Sequence, residues 1–178
     1  DPAELNTSAR LQGDKYVLWG QKALVINAED AEMFLVYARE GATGHTQAYL
    51  VPANDPRVHI NRRDHWMGFH ALKTYTVEFT GAAVPVENRL GGKNGIDLVK
   101  ILTYSRIGLG AMAIGLARGA FEYARDYAKD RVAFGEPIAH RQSIAFMLAN
   151  MAIDIDAVRL LVWEAAWKTD NGKPGAVH

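Results

Sequence analysis

A chain of 178 residues, 49% of them hydrophobic and with a formal net charge of zero, is long enough for one large or two small domains around a real core. It has no basic excess for nucleic acid or an anionic membrane, and no cysteine for disulfides or thiolate metal sites. The opening Asp1-Pro2-Ala3-Glu4 shows no secretory signal, and no run reaches the roughly 18–20 uninterrupted apolar residues of a membrane span. Residues 107–117 come nearest and are bracketed by Arg106 and Arg118.

Up to Gly91-Gly92 the chain reads as short strands. Residues 16–18 lead through Trp19-Gly20 into 23–26, and 33–38 form another apolar run of strand length. Residues 46–51 follow a turn over residues 41–44. In 73–79, Tyr75, Val77 and Phe79 alternate with Thr74, Thr76 and Glu78. Aromatic and branched residues at period two, punctuated by Gly, Pro, Asn and Asp, predict antiparallel strands in a small barrel or sandwich over residues 1–92.

Residues 93–178 change character. About 95–130 lack proline and are rich in Ala, Leu, Arg and Ile; Gly108, Ala111, Gly115 and Gly119 recur every three or four residues, a stripe that lets another helix approach. A second helix is predicted over about 141–170, with Ile144, Leu148, Met151, Ile155, Val158 and Val162 as its buried face and Asn171-Gly172-Lys173-Pro174 as its stop. The fold class is therefore α+β: an antiparallel barrel or sandwich followed by a long helical hairpin.

Between the helices, residues 131–142 put Arg131 at a helix end, break at Phe134-Gly135, and set Pro137 near the start of the second helix. Such a corner presents a guanidinium and a ring together, which suits a nucleotide, because the fork matches phosphate oxygens and the ring lies against a base. The structural alternatives are a helix-end cation for Arg131, a core plug for Phe134 and a helix N-terminal polar residue for Gln142. His59, His65 and His70 match no standard zinc spacing, so no metal site is expected.

Four stretches in collinear order resemble the acyl-CoA dehydrogenase family: Gly20-Gln21-Lys22 with Asn27-Ala28; Val84-Pro85-Val86-Glu87-Asn88-Arg89-Leu90-Gly91; Arg131 with Phe134-Gly135 and Gln142; and Met151-Ala152 with Ala165-Ala166-Trp167. The resemblance implies the middle β-domain followed by the first two helices of a C-terminal four-helix domain, truncated at both ends relative to the family. It implies FAD as cofactor, an acyl-CoA substrate oxidised between its α and β carbons in fatty acid metabolism, and an electron-transfer acceptor protein. A homodimer or homotetramer in a bacterial cytoplasm or mitochondrial matrix goes with it, without nucleic acid or a membrane span.

Carried over residue by residue, Arg131 resembles the arginine on the flavin pyrophosphate and Phe134 the residue near the adenine, with Ala133 between them. Gln142 resembles a flavin-contacting glutamine, with Arg141 beside it. Leu24-Val25-Ile26 stands where the family has Trp-Ile-Thr or Trp-Ile-Ser; three aliphatic side chains can cover a ring but cannot donate to it, and the residues alone read as a buried strand. Thr103, Ser105 and Arg106 align with a segment lining the acyl-CoA site. Ser105 occupies the place where one branch of the family carries its catalytic glutamate; the other branch carries it beyond His178. No catalytic residue is therefore assigned, and the chain alone is expected to be inactive. A non-catalytic module of the same fold, or an acyl-CoA oxidase-type flavoenzyme, are the alternatives.

Overall fold

The computed structural model describes residues 5–41, 43–68 and 70–173. Residues 1–4 of the opening segment, Ala42 of the turn over 41–44 and Pro174 of the helix stop lie outside the described residues. The chain divides into two compact units, Asp1–Leu98 and Val99–His178.

The first unit is a six-stranded sheet. Its strands are β1 (Ser8–Gln12), β2 (Lys15–Ile26), β3 (Met33–Glu40), β4 (Thr46–Pro52), β5 (Val58–Arg63) and β6 (Thr74–Pro85), in the order β4-β3-β1-β2-β6-β5. The expected all-antiparallel sheet needs correction: β1 runs parallel to β3, pairing Ser8 with Arg39 and Ala9 with Glu40, while the other four pairings are antiparallel. The sequence reading also missed β1 and β5. Each is short and polar on its outer face, so alternation alone carries little signal.

Period-two patterning builds the core. Phe34, Val36 and Ala38 of β3 and Tyr75, Val77 and Phe79 of β6 turn inward, joining Leu18, Val51 and Val84. At one edge of this core sits a polar knot. The Tyr16 hydroxyl donates to Glu40 Oε1 at 2.9 Å, the Thr43 hydroxyl donates to Oε2 at 3.1 Å, and Arg89 Nε lies 3.4 Å from Oε1. These partners offset the cost of burying a carboxylate. Gly20 closes another junction. Its φ is +122°, and a Cβ there would meet the Cα of buried Thr7 at 2.8 Å. Thr7 ties β2 and β3 together, donating its hydroxyl to the Gln21 carbonyl and accepting from the Arg39 N–H through its own carbonyl.

The second unit holds two long helices, α1 (Leu98–Asp130) and α2 (Gln142–Asp170). By length and composition alone α1 is apolar enough to cross a bilayer. Only Thr103 and Ala128 of α1 are buried, and no residue of α2 is. The predicted inner face of α2 is thus only half-covered: Ile144, Leu148, Ile155 and Val162 are partly buried, whereas Met151 and Val158 are exposed. The small-residue stripe is also corrected. A Cβ at Gly108, Gly115 or Gly119 would meet nothing, while one at Gly110 would lie 3.0 Å from Val162 of α2.

Candidate functional site

Helix α1 does not run through a simple corner into α2. A two-residue hairpin intervenes, with β7 (Val132–Ala133) paired to β8 (Glu136–Pro137). Pro137 therefore sits in β8, followed by a single 3-10 turn over Ile138–His140, and not at the start of α2. The Ile138 N–H donates to the Arg131 carbonyl at 2.9 Å and closes the base. Phe134 and Gly135, with φ of +55° and +85°, are the central turn residues. Positive φ at both positions defines a type I′ turn, which favours Asn-Gly. A phenylalanine in the left-handed region costs about 1–2 kcal/mol, and here its side chain is 94% exposed. Among the described residues Phe134 is therefore no core plug: the fold holds an apolar ring at the tip of a strained turn with the Arg141 guanidinium on one side of it, and backbone strain of this kind clusters at functional sites.

The surrounding residues extend this surface. Arg131 is exposed, with no ion pair among the described residues. The Ala133 carbonyl accepts a bond from Arg141 Nη2 at 3.1 Å, and the Arg141 guanidinium carbon lies 4.9 Å from the centroid of the Phe134 ring. Gln142 is exposed as the first residue of α2, whose N-cap is Arg141. The connection from α1 to α2 thus carries two guanidinium groups, one ring and a primary amide, and the fold brings one of those guanidinium groups, that of Arg141, to the Phe134 ring.

A second candidate surface lies in the first unit. β2 pairs with β6 without a shift from Trp19–Thr80 to Lys22–Val77 and resumes at Val25–Tyr75, so β2 accommodates one extra residue there. At this bulge Leu24 takes φ +57°. The buried-strand expectation for residues 24–26 needs correction: Leu24 is 58% and Ile26 56% exposed, and only Val25 packs against the core. A bulge re-aims side chains and is common beside active sites. Neighbouring Lys22 is half-buried, and desolvation lowers its pKa from the usual lysine value. Among the described residues, three that are not glycine have positive φ: Leu24, Asn27 and Phe134. Asparagine tolerates that region; the two large apolar residues do not, and both fall in segments singled out from the sequence. Nothing in residue type alone announced the left-handed backbone at Leu24, whereas Phe134 followed by glycine is a weak turn signal.

Thr103, Ser105 and Arg106 do not all share one side of α1. Thr103 is buried, and its hydroxyl donates to the Val99 carbonyl at 2.8 Å, whereas Ser105 and Arg106 are exposed. Ser105, two residues on, points away from Thr103, whereas Arg106, three residues on, shares the Thr103 side of the helix. His59 on β5 shares a hydrogen bond with the Thr80 hydroxyl and His70 with the Trp66 carbonyl; no metal-holding cluster occurs among the described residues.

Residues 1–82 match the model of the acyl-CoA dehydrogenase middle domain, and residues 94–177 that of the acyl-CoA dehydrogenase C-terminal domain. The mitochondrial short-chain specific acyl-CoA dehydrogenase of Rattus norvegicus is 35% identical over 98% of this chain and 43% of its own length. A caffeyl-CoA reductase–Etf complex subunit of Acetobacterium woodii is 35% identical over 97% of this chain and 47% of its own. The structure of butyryl-CoA dehydrogenase from Megasphaera elsdenii superposes with a TM-score of 0.84 at 34% identity, covering 98% of this chain and 47% of that one. The chain spans less than half the length of these relatives.

Proposed function

Because the chain belongs to the acyl-CoA dehydrogenase family, we propose that it is part of an FAD-dependent enzyme that oxidises an acyl-CoA thioester between its α and β carbons. The observation that carries this reading is the exposed Phe134 ring on left-handed backbone, three residues after the exposed Arg131. A guanidinium with no ion pair among the described residues, close in sequence to a ring with one open face, fits the diphosphate and adenine of a dinucleotide. On this reading Arg131 grips the pyrophosphate, Phe134 lies against the adenine, and Ala133 and Gln142 complete the contact. Leu24 and Ile26 form an aliphatic ledge suited to covering a flavin ring, with no side-chain donor toward it. FAD supplies the hydride acceptor when bound.

Thr103, Ser105 and Arg106 are proposed to border the acyl-CoA. Arg106 favours negative charge nearby, and Ser105 can bond but cannot remove an α-proton, since an alcohol is far too weak a base. That step belongs to a carboxylate outside residues 103–106. An electron-transfer flavoprotein as acceptor, a dimeric or tetrameric assembly, and a bacterial cytoplasm or mitochondrial matrix as location complete the proposal. The relative from A. woodii, named as part of an Etf complex, supports the acceptor.

Full-length protein purified without added flavin is expected to carry a visible flavin spectrum and to reduce an artificial acceptor when given a short acyl-CoA. Absence of both the spectrum and calorimetric FAD binding sinks the proposal. Flavin binding without acyl-CoA oxidation favours the second reading, a non-catalytic module of the same fold, which the serine at position 105 and the donor-free ledge support.

A further inference from the structure

An exposed phenylalanine in a left-handed turn has nothing in its own side chain to keep it there; the β7–β8 pairing holds its backbone, and the Arg141 guanidinium lies against its ring. The backbone of Arg141 is pinned on both sides: its N–H donates to the Ile138 carbonyl at 3.1 Å, and its carbonyl accepts from the N–H groups of Ile144 and Ala145 at 3.0 and 2.9 Å. From this fixed base, Nη2 donates to the carbonyl of Ala133, the residue just before the turn, while the guanidinium leans toward one side of the Phe134 ring at 4.9 Å. Arg141 makes no ion pair among the described residues, so its charge is not committed elsewhere. The ring nonetheless stays 94% exposed, which leaves its other face open.

The geometry points to Arg141 as a positioning residue: it clamps the carbonyl on one side of the turn and leans on one face of Phe134, so that the opposite face is set before a nucleotide arrives. This role rests on reading the hairpin as the cofactor contact. A ligand that needs one conformation of a mobile side chain binds more weakly in proportion to how rarely that conformation is populated. The device requires a planar fork, which can bond a carbonyl and lie near a ring at once; a lysine ammonium cannot do both.

The test uses the full-length protein stripped of flavin, with FAD titrated into the wild type, Arg141→Lys, Arg141→Gln, Phe134→Ala and the two double variants. Arg141→Lys and Arg141→Gln are expected to weaken FAD binding alike, by roughly five-fold. The loss is the same at low and high salt, and Arg141 substitutions have no effect in the Phe134→Ala background. In the flavin-free protein, the δ-methylene protons of labelled Arg141 show an upfield ring-current shift that Phe134→Ala abolishes. Wild-type affinity in Arg141→Lys, a loss that persists without Phe134, or no ring-current shift each overturns the positioning role while the cofactor reading stands. A wild-type protein that binds no FAD overturns both.

Discussion

The two units treat apolar residues in opposite ways. In the sheet, strand alternation and six paired strands put Leu18, Tyr49, Val51, Tyr75, Val77 and Val84 almost entirely out of water. In the helical unit, two helices of 33 and 29 residues leave Leu109, Met112, Leu116, Leu160, Leu161 and Trp163 in large part exposed. The difference is geometric. A curled sheet encloses its inner face with its own strands, whereas each helix of a pair covers only a strip of the other and needs further helices to bury the remainder. Stability should therefore concentrate in the first unit, and the second should tolerate substitution until it meets a partner surface.

The largest expected effect tests that contrast directly. Leu18→Ala removes a fully buried side chain and is expected to cost about 3 kcal/mol, measured by urea unfolding, whereas Leu161→Ala on exposed α2 is expected to cost less than about 1 kcal/mol. Equal losses would mean that the helical face is already covered. Gly20→Ala comes next. The new Cβ meets the backbone of Thr7 at a φ that side chains rarely adopt, for an expected loss of about 2 kcal/mol.

The third prediction separates stability from function. Phe134→Asn places the preferred residue in the left-handed turn position and is expected to raise stability by about 1 kcal/mol, while FAD affinity falls about ten-fold through the lost ring. A stability gain with unchanged flavin binding would detach the strained turn from the cofactor.

The smallest effect is electrostatic. Burial, the bond to Glu40 and the nearby Glu40 charge push the Tyr16 phenol above its usual value of 10.0, and burial does the same more strongly for Tyr49. A raised phenol pKa contributes stability that is complete below pH 10 and is lost as pH climbs through the folded values. Lys22 acts oppositely, because its penalty on the charged form is relieved as pH approaches the lysine range. The urea midpoint should therefore fall above about pH 10, and Tyr16→Phe should flatten that fall. An unchanged slope would show that the phenols of the knot are already solvated.

Much of the sheet was legible because period-two alternation is local: Tyr75, Val77 and Phe79 state their facing in seven residues. β1 was not, because its place beside β3 depends on a parallel pairing between segments some thirty residues apart. The helices were legible to within a few residues, but their buried face was not, since periodicity gives the side on which apolar residues gather and not what covers it. For the candidate site, residue types at 131–142 suggested a guanidinium and a ring, while the hairpin between them and the clamp by Arg141 were not readable.

By itself, the order of residues determined the family, the change from strands to helices near residue 95, and the cluster of charge and aromaticity between the helices. These follow from local periodicity and collinear motifs, each satisfied within a few turns or strands. Tertiary structure alone decided that Leu24 and Phe134 stand outward on left-handed backbone, that Gly110 rather than Gly108, Gly115 or Gly119 lies against Val162 of α2, and that Arg141 braces the ring. Each depends on bonds and contacts between residues whose partners the surrounding fold selects, and local residue preference opposes two of them.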